Sequence, residues 1–219
     1  MNPLTLITDT IAGLPIELAK NQLAQVWQNQ KTKRFEHFLS QFQTEMDRMS
    51  EEERSKLNDY IATEVAQDRL IEFVDSVLST SDKRVHIALA LLYANDRDYP
   101  LTDKEKHTFC MAVRNIHPDL VTFYLKLDKA ESSRLFDTMP ERYTLMHSDL
   151  SSLFGGEYDP DEVTEMVSEL VSLKLLLGDP KNYASADEAN SWTVSWGMNE
   201  SKWNMLRLLK KAQRLSGKA

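Results

Sequence analysis

The chain has 219 residues, 42% apolar and 27% charged, which is ordinary globular composition and long enough to bury a core. Its net charge of −8 argues against a protein that coats nucleic acid, and the longest strictly apolar run, Ile87 to Ala94, is far too short to span a bilayer. The single cysteine, Cys110, excludes an internal disulfide; the start Met-Asn-Pro-Leu-Thr lacks a basic leader, so the cytoplasm is the expected compartment.

Helical spacing begins near Pro15. Ile16, Ala19, Leu23, Val26 and Trp27 form one stripe, and Phe35, Phe38, Leu39, Phe42 and Met46 continue it, predicting one long helix to about Arg48. A short leading helix is expected around Leu4–Ile11. Ser50 followed by Glu53 is a capping box that opens a helix carrying Leu57, Tyr60, Ile61 and Val65. The next helix shows Leu70, Ile71, Phe73, Val74, Val77 and Leu78. Thr80-Ser81-Asp82 then caps Val85–Ala94, which is apolar nearly all round and so predicts a central buried helix. Tyr99-Pro100 breaks the pattern, and Thr102 with Glu105 forms a second capping box before Phe109, Met111, Ala112, Val113 and Ile116.

After His117-Pro118 the pattern changes. A helix with Leu120, Val121, Tyr124 and Leu125 precedes a shorter one expected around Glu131–Thr138. Tyr143–Met146 reads as a short strand, Ser148 as the cap of a brief helix to Phe154, and Gly155-Gly156 as its end. Asp159 caps a strong helix with Pro160 first and Val163, Met166, Val167, Leu170 and Val171 on one face. Leu175–Leu177 stops at the turn Gly178-Asp179-Pro180, Trp192–Trp196 alternates like a strand, and a last helix covers about Glu200–Leu215. This order predicts a mainly α protein: a helical bundle over 1–117 and a winged-helix-like module over 118–219 with a small β-hairpin. A bundle with a stray hairpin is the plainer alternative.

A winged helix reads DNA through its second helix, here Pro160 to about Leu173, and draws affinity from phosphates. That helix exposes Asp161, Glu162, Glu165 and Glu169 and has no Lys or Arg before Lys174, so groove insertion would be repulsive. Residues 118–198 hold fifteen acids against six bases, whereas 199–219 hold one acid against six bases. Within that basic end Arg207, Lys210, Lys211 and Arg214 share one side of the last helix, opposite Met205, Leu208, Leu209, Ala212 and Leu215. They predict the solvated face of a docked helix, a contact to an acidic partner, nucleic-acid backbone or lipid, or an intramolecular contact with the helix docked on the acidic module.

No residue set predicts catalysis, a metal or a cofactor. His107, Cys110 and His117 lack the second ligand pair that a structural zinc needs. His147-Ser148-Asp149 contains triad residue types, but triads assemble from separated positions, and a helix start explains the segment better. Glu51, Glu52 and Glu53 suit a helix N-terminus, and Gly155-Gly156 lacks the residues of a phosphate loop. Trp192 and Trp196 share a strand face expected to pack on the module's own core.

From about Arg69 to Phe136 the layout resembles the abortive-infection alpha-type family of phage-exclusion proteins. The likeness rests on Ile87-Ala88-Leu89-Ala90-Leu91-Leu92, a polar break, His117-Pro118-Asp119-Leu120-Val121 and Leu127-Asp128-Lys129-Ala130-Glu131. It covers about a third of the chain, and the N-terminal third does not follow the pattern. The resemblance implies a bacterial or prophage-encoded, non-enzymatic protein concerned with phage exclusion, and it supplies no site residues. The expectation is therefore a cytoplasmic interaction protein with a protein partner, nucleic acid disfavoured and self-association left open. The alternative is a regulator contacting DNA through the basic terminal helix and wing.

Overall fold

A computed structural model of the chain describes residues 16–61, 63–94, 100–130, 132–133, 140–179 and 192–217. The short leading helix expected near Leu4–Ile11 lies outside them. The described residues are mainly helical, with a small antiparallel sheet towards the C-terminus. Among them, no helix is long and apolar enough to cross a membrane.

The long helix α1 runs from Ile16 to Arg48, and Phe35, Phe38 and Phe42 carry its packing against the body. Leu39 leaves that stripe and is 45% exposed, because it falls one position beyond Phe38 and so about 100° round the helix. Helix α2 (Glu51–Ile61) opens on the Ser50 box, in which Glu53 accepts from the Ser50 amide at 2.8 Å. It stops four residues before Val65, which belongs to α3 (Glu64–Ser79) rather than to the preceding helix.

Helix α4 (Lys83–Tyr93) is the centre of the molecule. Every residue from Val85 to Tyr93 is buried, as an all-round apolar helix requires. Asp82 caps it by accepting from the Arg84 amide at 2.8 Å. Around α4 pack α1, α3, α5 (Asp103–Val113) and the terminal helix α9 (Glu200–Ser216). Buried side chains on both sides of residue 117 belong to one continuous cluster, from Phe38 through Leu89 and Phe123 to Leu209.

Helix α6 (Pro118–Lys126) follows, with Pro118 in its first turn and His117 accepting from the Asp119 amide at 3.3 Å. A 3-10 turn over Leu127–Lys129 ends it. The helix expected around Glu131–Thr138 is corrected at its described positions: Ser132–Ser133 form a two-residue strand, β1, antiparallel to Tyr143 and Arg142. Serine is a poor helix interior residue, and the free edge of the next strand offers its backbone partners. That strand, β2 (Glu141–Met146), starts two residues earlier than its apolar pattern indicates. Helix α7 (His147–Phe154) is capped by Asp149, which accepts from the Met146 amide at 2.7 Å; Ser148 lies inside the helix. Gly155 and Gly156 end it with φ of 66° and 77°, a left-handed backbone that other residues adopt at a cost.

Helix α8 (Pro160–Ser172) leads to Leu177 and then to β3 (Thr193–Met198). The main ladder joins β2 to β3 in register from Glu141 opposite Met198 to Met146 opposite Thr193. On the other side of β3, Leu177 and Gly197 exchange both backbone hydrogen bonds, at 3.0 and 2.9 Å. Tyr143, Leu145, Trp196 and Met198 face the core, while Arg142, Thr144 and Ser195 join in hydrogen bonds on the opposite face.

Candidate interaction surface

Helix α8 owes its start to a reciprocal cap. Asp159 accepts from the Glu162 amide at 2.9 Å, and Glu162 accepts from the Asp159 amide at 3.0 Å. Val163, Val167 and Leu170 then bury one face of the helix. The chain after α8 is turned by Lys174, held at φ 60°, so that Leu175 and Leu176 re-enter the core. Two buried groups tie this turn down. The Tyr124 hydroxyl lies 3.1 Å from the Leu175 carbonyl, and the Lys202 ammonium donates to the Lys174 carbonyl. Burial lowers the Lys202 pKa from its ordinary value.

The opposite face of α8 is a row of carboxylates. Asp161, Glu162, Glu165 and Glu169 are all exposed, and among the described residues none of the four forms an ion pair. Glu162 is engaged by the cap; the other three project from successive turns. Trp192 touches the start of this helix, its indole N–H donating to the Thr164 hydroxyl at 3.1 Å. It is half-buried, whereas Trp196 is buried and stacks on Tyr143 at 5.9 Å between ring centroids. The two tryptophans therefore share a strand face but not an environment.

The terminal helix is docked. Met205, Leu206, Leu208, Leu209 and Ala212 are buried, and Asn199 caps its start by accepting from the Lys202 amide at 3.0 Å. Its four basic residues do not form one uniform surface. Lys210 is half-buried and paired with Asp128, just beyond α6. Lys211 is half-buried and also has a partner. Arg207 is exposed, its guanidinium carbon 5.8 Å from the Trp203 ring centroid, and Arg214 is exposed near the C-terminal end. Lys210 thus acts inside the molecule, a role that helical spacing alone does not distinguish from solvation.

Among the described residues no group of three or more His, Cys, Asp or Glu side chains could hold a metal. His107 lies 2.6 Å from Glu72, while Cys110 is buried one turn away and His117 caps α6. Burial, reinforced by Glu72, pushes the Cys110 thiol far above its ordinary value, so it is a poor nucleophile. In His147-Ser148-Asp149, the serine hydroxyl is 3.5 Å from Asp149, whose carboxylate is spent on the α7 cap.

One feature lay beyond the reach of the sequence pattern. An open cleft of about 410 Å³ between α3 and α5 is lined by Asp68, Arg69, Glu72, Asp103, Lys104 and His107. Across it Arg69 pairs with Asp103 at 3.1 Å, and His107 Nδ1 lies 2.6 Å from Glu72. The lining holds no hydroxyl or thiol nucleophile. Helix spacing cannot bring two helices side by side, so the pattern did not reveal Glu72 and His107 as neighbours.

No protein-family model, no curated protein and no solved structure matches the chain.

Proposed function

We propose that this chain is a non-enzymatic interaction protein whose segment 118–219 is a winged-helix-like module that contacts another protein through the carboxylate face of α8. The order α6, β2, α7, α8, Leu177, β3, with β3 between β2 and Leu177, supports the winged-helix reading. In such a module α8 takes the place of the groove-reading helix. The observation that carries the function is the exposure of Asp161, Glu165 and Glu169 without ion-pair partners among the described residues. Facing DNA, that row would meet phosphate with like charge and release no counterions. Facing a basic protein surface, it supplies electrostatic complementarity and orientation.

The likeness of residues 69–136 to the abortive-infection alpha-type family supports a role for this interaction in phage exclusion. Two measurements test the reading. Anisotropy of a labelled random duplex is expected to show no saturable binding between about 50 and 200 mM salt; tight binding that weakens steeply with salt supports a DNA regulator instead. Expression in a bacterial host is expected to lower plaque counts, and Asp161→Lys/Glu165→Lys/Glu169→Lys is expected to restore them. Unchanged plaque counts with the unaltered chain count against the phage-exclusion role.

A further inference from the structure

We propose that His37 and His86 form an acid-sensitive clasp that holds α1 on the body of the protein and releases it when both rings are protonated. His37 lies on α1 and His86 on the central helix α4, 49 residues apart in the chain, with their Nδ1 atoms 3.4 Å from each other. The rings are stacked, with centroids 5.7 Å apart.

The protons in this pair follow from a third contact. His86 Nε2 is 3.0 Å from the Thr80 carbonyl oxygen, which can only accept. His86 therefore carries its proton on Nε2 and presents a lone pair at Nδ1, so the proton between the rings belongs to His37 Nδ1. A first added proton goes to His37 Nε2, on the half-exposed ring, and leaves the inter-ring bond intact. A second must go to His86 Nδ1. It removes the acceptor and leaves two N–H groups pointing at each other across 3.4 Å.

The surroundings oppose that second charge. His86 is 1% exposed, so its imidazolium would lose most of its hydration. The charged groups acting on the pair are Lys33, Arg34 and Glu36 from α1 and Asp82 and Lys83 at the start of α4. Arg34 is held there by the Leu78 carbonyl at 2.6 Å, and Asp82 is occupied by Arg84. Burial is the largest cause that holds both histidines below their ordinary value of 6.5; Lys83 and Lys33 add to it at His37, while at His86 the Thr80 carbonyl and Asp82 oppose it without reversing it.

The direction of the pH effect follows. With α1 detached, His37 on α1 and His86 on α4 both face water and bind protons near the ordinary value, whereas the clasped form resists them. The clasp is therefore fully effective above about 6.5 and weakens as pH falls through that value towards the lowered ones. What opens is the seam where Phe38 and Phe42 lie against Tyr93, with Phe35 stacked on Phe38. Helix α4 also packs against α3, α5 and α9, and these contacts do not involve α1.

Hydrogen exchange of the full chain, corrected for the chemical exchange rate, tests this at about pH 7.5 and pH 5. Amides of residues 28–48 are expected to lose about tenfold or more of their protection at the lower pH, while those of α4 and α9 keep theirs. His37→Asn/His86→Gln is expected to remove the difference, and His117→Gln to leave it in place. Three results overturn the proposal: α1 protection independent of pH, equal loss along the whole chain, or an unchanged response in the double variant. Nitrogen NMR of the unaltered protein provides a test that needs no variant. At neutral pH His86 must be the Nε2–H tautomer, and finding its proton on Nδ1 refutes the clasp.

Discussion

Arg84 grips Asp82 through its Nε, 2.9 and 3.0 Å from the two carboxylate oxygens, and the same guanidinium reaches another helix. One terminal nitrogen lies 2.8 Å from the Pro118 carbonyl and the other 3.0 Å from the Thr122 hydroxyl. The residue that caps α4 is thereby joined to the first turn of α6. Asp82 is buried, and the Arg84 guanidinium is its ion-pair partner.

Arg84→Ala should cost about 3 kcal/mol, because a buried carboxylate loses its counter-charge and α6 loses two contacts. Arg84→Lys keeps the charge but not the planar fork and should fall between the two. Urea unfolding followed by circular dichroism reads the order. A lysine variant as stable as the parent would show that only the charge matters.

The hydroxyl of Tyr124 is fully buried, within reach of the Leu175 and Lys202 carbonyls at 3.1 and 3.3 Å. Burial raises its pKa well above the ordinary value, so it stays a neutral donor. Tyr124→Phe should destabilise the protein by about 1–2 kcal/mol while leaving the helical signal unchanged. Exchange of the Leu175 and Leu176 amides, which bond back to the Leu170 carbonyl, should quicken more than that of α5. Equal acceleration in both places would mean the hydroxyl does not anchor the turn.

Cys110 is 0% exposed and its thiol pKa is raised. A thiol reagent should therefore label the native protein only at the rate of opening, and immediately in denaturant. Rapid labelling at neutral pH without denaturant would contradict the packing of α5 against α3.

Contacts that close within a few residues were legible in the chain, and contacts between distant segments were not. The caps at Ser50–Glu53, Thr102–Glu105 and Asp159–Glu162 each close within three residues, so local pattern suffices. The all-round apolar run of α4 likewise has one physical outcome, burial. The acidic face of α8 was legible because amphipathic spacing directs carboxylates away from Val163, Val167 and Leu170. Long-range pairs leave no such trace. Lys210 meets Asp128 across 82 residues, and the helical pattern marks it as one of four equivalent bases. Ser132–Ser133 become a strand only because β2 lies beside them.

Charge reversal on α8 isolates the electrostatic claim from the fold. Asp161, Glu165 and Glu169 are exposed and make no ion pair among the described residues, and Glu162 keeps its cap, so three lysines there should fold. The main stability cost is Asp161→Lys in the first turn, where a positive charge opposes the helix dipole by about 0.5–1 kcal/mol. The variant replaces three negative charges with three positive ones on the helix that would face a groove. It should gain binding to random duplex DNA that weakens with salt, with a slope of about −0.9 for each phosphate engaged. The parent should show none. If the parent binds as tightly as the variant, with the same slope, α8 does not face the phosphates, and the basic residues of α9 must supply the contact instead.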